Sequence, residues 1–313
     1  MLSWFKLKPP GWLYVVFAMS AFVWIVRSFI NPEFFFTTAF YIAVPFVGAA
    51  LLHQIVPRTD DVTFFRQCVN HYRDATLLIL GLSGLFMEGF ICILFAAPIV
   101  YVAMAFGFIF SHSLRQWKKS RNTTLQAVIL PVLVLVMSLE GVSPSTTWQR
   151  EQSASYTTIF DADIETLKAN MARPIQFDMD RHWLISVFPM PQRVQAGSLM
   201  PGDVHSLDFV YKRWFWTNIH TGKLDIRIDA VGRDFVETTI VRNDSYLASY
   251  LNIKGTRVQF DELDDGRTKI SLSVNYDRTL DPVWYFGPIQ SFAMEKAAQY
   301  LLKTIITRQA GYG

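Results

Sequence analysis

The chain has 313 residues, 51% of them hydrophobic and 18% charged, a balance too apolar for a wholly soluble protein. The formal net charge of +3 is uneven: ten Lys/Arg face six Asp/Glu up to Ser143, and nineteen face twenty from Pro144 onward. No basic stripe is dense enough for nucleic acid, so that partner class is set aside.

The N-terminal MLSWFKLKPPGW leads into an apolar run with no small-residue cleavage site, as expected of a retained anchor rather than a removed leader. Spanning a bilayer takes about 20 apolar residues as a helix, and residues 12–30 and 34–56 qualify, with the turn Asn31 to Glu33 between them. Pro45 is expected to kink the second of these, and Pro131 a later one. The polar segment PRTDDVTFFRQCVNHYRD follows, and then an apolar run from Ala75 to Phe110. One helix of that length would be roughly 54 Å long at 1.5 Å per residue, nearly twice the hydrocarbon thickness. Gly84, Glu88-Gly89 and Ala96-Ala97-Pro98 offer turning points for two shorter helices, 75–89 and 90–110.

Positive charge decides between one crossing and two. With a hairpin and a cytoplasmic N-terminus, Lys6, Lys8, Arg58, Arg66, Arg73 and the cluster Arg115, Lys118, Lys119 and Arg121 are all cytoplasmic, leaving Arg27 outside. A single crossing would put the whole SLRQWKKSR cluster outside. The reading is therefore a transmembrane domain, residues 1–143, of about five helices, the last at 125–142. It places the C-terminal half outside the cytoplasm, on what is expected to be a bacterial cytoplasmic membrane. Glu88 then sits near the hairpin turn, which favours an interfacial role over an ion or proton site. Both cysteines, Cys68 and Cys92, fall in this half and say nothing about the compartment of the other.

Residues 144–152 read as a polar linker, and from 153 the period changes. SASYTTIF (153–160) alternates as a strand, and DADIETLKANM (161–171) reads as a helix with acids at its N-terminal end. A second short helix is expected at PIQFDMD. Strand-like runs then recur between the turn signals PGD, HTGK, VGRD, NDS and DDGR. In KISLSVNY, Ile270, Leu272, Val274 and Tyr276 share one face and Ser271, Ser273 and Asn275 the other. LDIRIDAV repeats the device with Leu224, Ile226 and Ile228. The closing segment, PIQSFAMEKAAQYLLKTIITRQ (288–309), puts Phe292, Lys296-Ala297, Tyr300-Leu301 and Ile305 near helical spacing, giving one largely apolar face.

This order of elements resembles the helix-grip fold of the START-like, Bet v 1-like superfamily, and its polyketide cyclase/dehydrase-type (SRPBCC) members in particular. The resemblance covers about residues 152–309. It is carried by DADIETLKA, MPGDVHSLDFVY, GTRVQF and GRTKISLSVNYDRTLDPVWYFGP running into the last helix. It implies an α+β domain at 153–309: a curved antiparallel sheet and a long C-terminal helix enclosing a cavity that, in many members, holds an apolar ligand. The cavity candidates on strands are Tyr211, Arg213 and Phe215 from YKRWFWTN, Leu224, Ile226 and Ile228, and Leu272, Val274 and Tyr276. Phe292 and Tyr300 are the candidates on the closing helix.

Trp284, Tyr285 and Phe286, between two prolines, either pin the helix to the sheet or form a membrane-touching rim. Asp178, Asp180 and His182 of DMDRHW would share a face in a strand, but read better as a solvated helix surface. There is no HExxH, no paired CxxC and no phosphate loop, so no metal or cofactor is expected.

Three functions remain open at this level. The first is a membrane-anchored binder of a lipid-like or other hydrophobic small molecule, with membrane lipids as its other partners. The second is a cyclase- or dehydrase-type enzyme using Tyr211, Arg213 and Tyr276 for orientation or acid–base work. The third is a structural or sensory membrane protein with a filled core.

Overall fold

The computed structural model describes residues 32–55, 63–86, 90–120, 126–177, 189–214 and 217–307. They form two compact units, Met1–Trp148 and Gln149–Gly313. The expected span 12–30 lies outside the described residues, as do Glu88, Asp178, Asp180, His182 and Phe215.

The first unit is helical. A 3-10 turn, Pro32–Phe36, and a π-helical turn, Ala39–Ala43, lead into α1 (Val44–Ile55). The π turn directly precedes Pro45, whose ring excludes the regular α hydrogen bond at that point. Then come α2 (Phe64–Phe86), α3 (Phe90–Ser120, with Pro98 inside) and α4 (Gln126–Met137). The apolar run 75–110 is thus carried by two helices.

These two helices pack side by side. The Tyr72 hydroxyl donates to the Tyr101 carbonyl at 2.8 Å, and the Thr76 and Tyr101 hydroxyls are 2.6 Å apart. Helix α2 begins well before the apolar run because Cys68, Tyr72 and Ala75, at helical spacing, pack on Met104 and Phe108 of α3. A Cβ on Gly107 would collide with the Phe46 carbonyl, so this glycine lets α1 and α3 approach closely. The outer faces of α3 and α4 are apolar: Val102, Phe106 and Ile109 on α3, and Ile129, Val132 and Val136 on α4, are all exposed. Among the described residues one helix, Ile93–Arg115, is long and apolar enough to cross a membrane.

The second unit opens with β1 (Glu151–Phe160), α5 (Ile164–Met171) and β2 (Ile175–Gln176). It continues through β3 (Met190–Gln195), β4 (Val204–Trp214), β5 (Thr217–Val231) and β6 (Phe235–Asn243). It ends with β7 (Leu251–Glu262), β8 (Thr268–Arg278) and α6 (Val283–Thr307). The strands form one antiparallel sheet in the order β1-β8-β7-β6-β5-β4-β3-β2. A long closing helix on the inside of such a sheet is the helix-grip arrangement.

Sequence dictates the local pieces. Asp163 precedes α5 and its carboxylate accepts the Thr166 N–H at 2.7 Å, satisfying a helix-end donor. Lys168 on α5 donates to the Gly232 and Arg233 carbonyls at 2.8 and 2.7 Å, tying α5 to the β5–β6 turn. Where a second short helix was expected, Ile175 and Gln176 are extended and pair with Val194 and Arg193. Ile175 is buried there in a cluster with Val194 and Leu207, and that burial outweighs any local helical preference.

The sheet curls around α6. One buried cluster joins Val236, Phe260, Ile270 and Leu272 to Ala298 and Leu302 of α6, and a second joins Ile175, Phe177, Leu207 and Leu224. Leu301 and Ile305 of α6 touch both, so the two ends of the sheet reach the same helix. Register shifts at Asp225/Ile226, Ile228/Ala230 and Ile253/Gly255 supply the bends. At the last of these, a Cβ on Gly255 would overlap the Thr238 carbonyl of β6, so only glycine allows the two backbones to come so close.

A buried ion pair closes the base of the unit. Arg278 donates to Asp281 at 2.6 Å, and neither side chain is exposed. Arg150, just before β1, donates to the Arg278 and Thr279 carbonyls at 3.0 and 2.9 Å and to Asp281 at 3.2 Å.

Candidate ligand site

The inner face of the sheet is built by alternation. Along β8, Ile270, Leu272, Val274 and Tyr276 are all buried, whereas Ser271, Ser273 and Asn275 are not. On β5, Leu224 and Ile228 are buried and Ile226 is half-buried. On β4, Leu207, Phe209 and Tyr211 follow the same rule. Arg213 lies further along that strand.

Several polar groups on this surface are paired. The Thr238 and Thr256 hydroxyls meet at 2.7 Å, and a His205 ring nitrogen lies 2.6 Å from the Ser198 carbonyl. Tyr276 is 1% exposed, and its burial pushes the hydroxyl above its usual value although a hydrogen bond with Ser291 works the other way. Tyr211 stacks on Tyr246 with ring centroids 4.8 Å apart, and the Tyr246 and Tyr250 hydroxyls are 3.0 Å apart. Tyr211 and Tyr276 stand on β4 and β8 with three strands between them, so the structure does not bring these two into one acid–base pair.

Packed against these buried clusters is a set of inward-facing apolar side chains that are only partly buried. Ile226 and Ile240 come from the central strands, Leu247 from the 3-10 turn Tyr246–Ser249, Ile253 from β7, and Leu301 and Ile305 from α6. Tyr300 belongs with them, its ring 6.0 Å from that of Phe177. Ile253 touches both of these clusters and a third formed by Ala154, Leu251 and Tyr276. Interiors are normally packed to crystal-like density. Aliphatic groups left short of full burial beneath a covering helix are surface that a guest could fill.

The helix residues read as cavity or rim do not form one set. Phe292 is 48% exposed. The face that α6 buries runs through Ala298, Leu302 and Ile306, flanked by Met294, Leu301 and Ile305, and Phe292 is off that line. Phe286 is buried, Tyr285 half-buried and Trp284 exposed. Helix α6 begins at Val283, and successive residues on a helix point about 100° apart, so three consecutive aromatics cannot share one rim. Ile240, Leu247, Ile253 and Ile305 were not among the sequence candidates. The alternation of Val236, Thr238 and Ile240 would have found the first, whereas the bulge beside Gly255 hides Ile253.

No protein-family model matches the chain, and no curated protein matches it. Among solved structures it is similar to a START superfamily protein from Mycobacterium smegmatis, at 13% identity over 50% of this chain and 95% of that one, TM-score 0.33. It is similar to the Zhui aromatase/cyclase from Streptomyces sp. R1128 at 13% identity, covering 52% and 99%, TM-score 0.33. It is also similar to major latex-like protein 151 from Panax ginseng at 15% identity, covering 49% and 99%, TM-score 0.28.

Proposed function

We propose that the second unit binds a lipid-like or other hydrophobic small molecule between the curled sheet and α6, and that the helical unit anchors it in a membrane. The incomplete burial of Ile226, Ile240, Leu247, Ile253, Leu301 and Ile305 beside the buried clusters carries the ligand reading. Apolar walls with a few paired hydroxyls suit a guest that is mostly hydrocarbon or aromatic.

The anchoring reading is supported by the inside-out polarity of the helical unit. The Tyr72, Thr76 and Tyr101 hydroxyls are paired between helices, and the exposed residues described on α3 and α4, among them Val102, Phe106, Ile109, Ile129, Val132 and Val136, are apolar. We assign it five crossings at 12–30, 34–56, 75–89, 90–110 and 125–142, with the N-terminus cytoplasmic and the second unit outside.

Native mass spectrometry of the full chain released from detergent tests the binding. An apolar adduct is expected with the wild type and not with Ile253→Phe, which fills the space between the clusters. A wild type that carries no adduct and takes up no apolar fluorophore would sink the reading. A reporter fused after Gly313 tests the topology, and activity in the cytoplasm would reverse it.

A further inference from the structure

The first three turns of α6 carry no charge. From Val283 to Met294 the sequence is VWYFGPIQSFAM, and the first acid is Glu295. A helix on the surface of a water-soluble domain normally turns charged residues outward. Here the outward residues are Trp284, Pro288 and Phe292, within an arc about 80° wide at the usual helical turn, and the exposed Glu295 ends the uncharged stretch on the same arc. Trp284 is 53% and Phe292 48% exposed. Lys296 places its ammonium over the Phe292 ring, 5.5 Å from the centroid, at the edge of this uncharged surface.

The buried ion pair fixes where this surface lies within the unit. Arg150, at the point where the chain enters the unit, bonds to Asp281, and α6 starts two residues later at Val283. The Trp284 turn is therefore held beside the unit's root. Residues 138–148 join that root to α4, the last apolar helix, and cannot extend beyond about 3.5 Å per residue, roughly 40 Å in all. Local turns, Val142 N–H to the Leu139 carbonyl and Thr146 N–H to the Ser143 carbonyl, shorten that reach further.

We infer that the Trp284–Pro288–Phe292 face of α6 lies on the lipid surface of the membrane that holds the helical unit, with Lys296 meeting anionic headgroups at its margin. Tryptophan at one end, a phenylalanine within and a lysine at the border is the composition of an interfacial contact. The inference rests on the anchored reading of the first unit.

The test uses the full chain in nanodiscs of phosphatidylcholine and phosphatidylglycerol, with Cys68 and Cys92 replaced by serine. Single nitroxide labels are placed by Phe292→Cys, Trp284→Cys, Leu133→Cys and Val241→Cys, and each is exposed to oxygen and to a water-soluble nickel chelate. Labels at 284 and 292 are expected to favour oxygen, as at 133, while 241 on the sheet favours nickel. Nickel access at 284 and 292 with oxygen preference at 133 overturns the surface contact and leaves the anchor standing. Nickel access at 133 as well removes the anchor itself. Shielding of 284 and 292 from both reagents means that protein covers the face, which also overturns the lipid assignment. The two label positions guard against one variant failing to fold.

Discussion

Arg278 and Asp281 meet at 2.6 Å with both side chains fully out of water. Arg278 also donates to the Gln149 carbonyl at 3.1 Å, and Arg150 completes the group from the other side. Removing one member leaves a buried charge without its partner, a loss of about 3–5 kcal/mol. Asp281→Asn is expected to destabilise the second unit on that scale and to speed hydrogen–deuterium exchange in peptides from β1 and β8 of the full chain. The double variant Arg278→Met/Asp281→Leu should restore much of the protection, since Arg150 can turn to solvent.

At Gly255 the expected effect is steric. Any side chain there meets the Thr238 backbone carbonyl and not a movable side chain. Gly255→Ala should cost about 1–3 kcal/mol by forcing β6 and β7 apart. Gly197, which has open space around it, should accept alanine with little change. Comparing the thermal midpoints of the two variants checks this.

The burial of α6 gives a paired prediction. Leu302 is 2% exposed and lies against the sheet, so Leu302→Ala should cost about 2–5 kcal/mol. Phe292→Ala, on the outer face, should stay within about 0.5 kcal/mol in detergent solution. Equal losses from the two would mean that the helix faces the sheet through a different stripe.

Acid and alkali should weaken the second unit through different groups. Burial raises the Tyr276 hydroxyl above 10.0, so the folded state holds that proton more tightly than the unfolded chain does. Its contribution is intact below the ordinary tyrosine value and is lost as pH rises through the raised one. Tyr276→Phe should therefore flatten the alkaline fall in thermal midpoint. On the acid side, the Ser198 hydroxyl and the Met200 N–H, the latter at 3.1 Å, hold Asp203 below its usual 3.8. The Arg193 guanidinium does the same for Asp208. Those contributions are present above the ordinary aspartate value and vanish as pH falls through the lowered ones, so Asp203→Asn should shift the acid limb and leave the alkaline limb alone.

What the sequence revealed depended on how sharply each element separates its faces. KISLSVNY alternates without a break because β8 lies in the sheet interior with one covered face, and its register could be read directly. Asp163 announced α5 because a carboxylate before a helix has a defined partner. The start of α6 was harder, since VWYFGPIQSFAM is uncharged all round and offers no polar face against which to orient. Its buried line passes through Ala298, whose small side chain gives a weak apolar signal, so Phe292 looked the better candidate. Ile175 and Gln176 form a strand too short for any period to show. Ile253 and Leu247 were hidden for another reason: one lies beside a bulge and the other on a 3-10 turn, where alternation does not apply.

Ala298 is fully buried at the point where α6 crosses the sheet, and it contributes a single methyl group there. That methyl sets how closely α6 approaches the strands it packs on. A bulkier residue at 298 would press on its cluster and push the helix outward, whereas glycine would let it settle. The spacing between helix and sheet can therefore be tuned from a single position on α6.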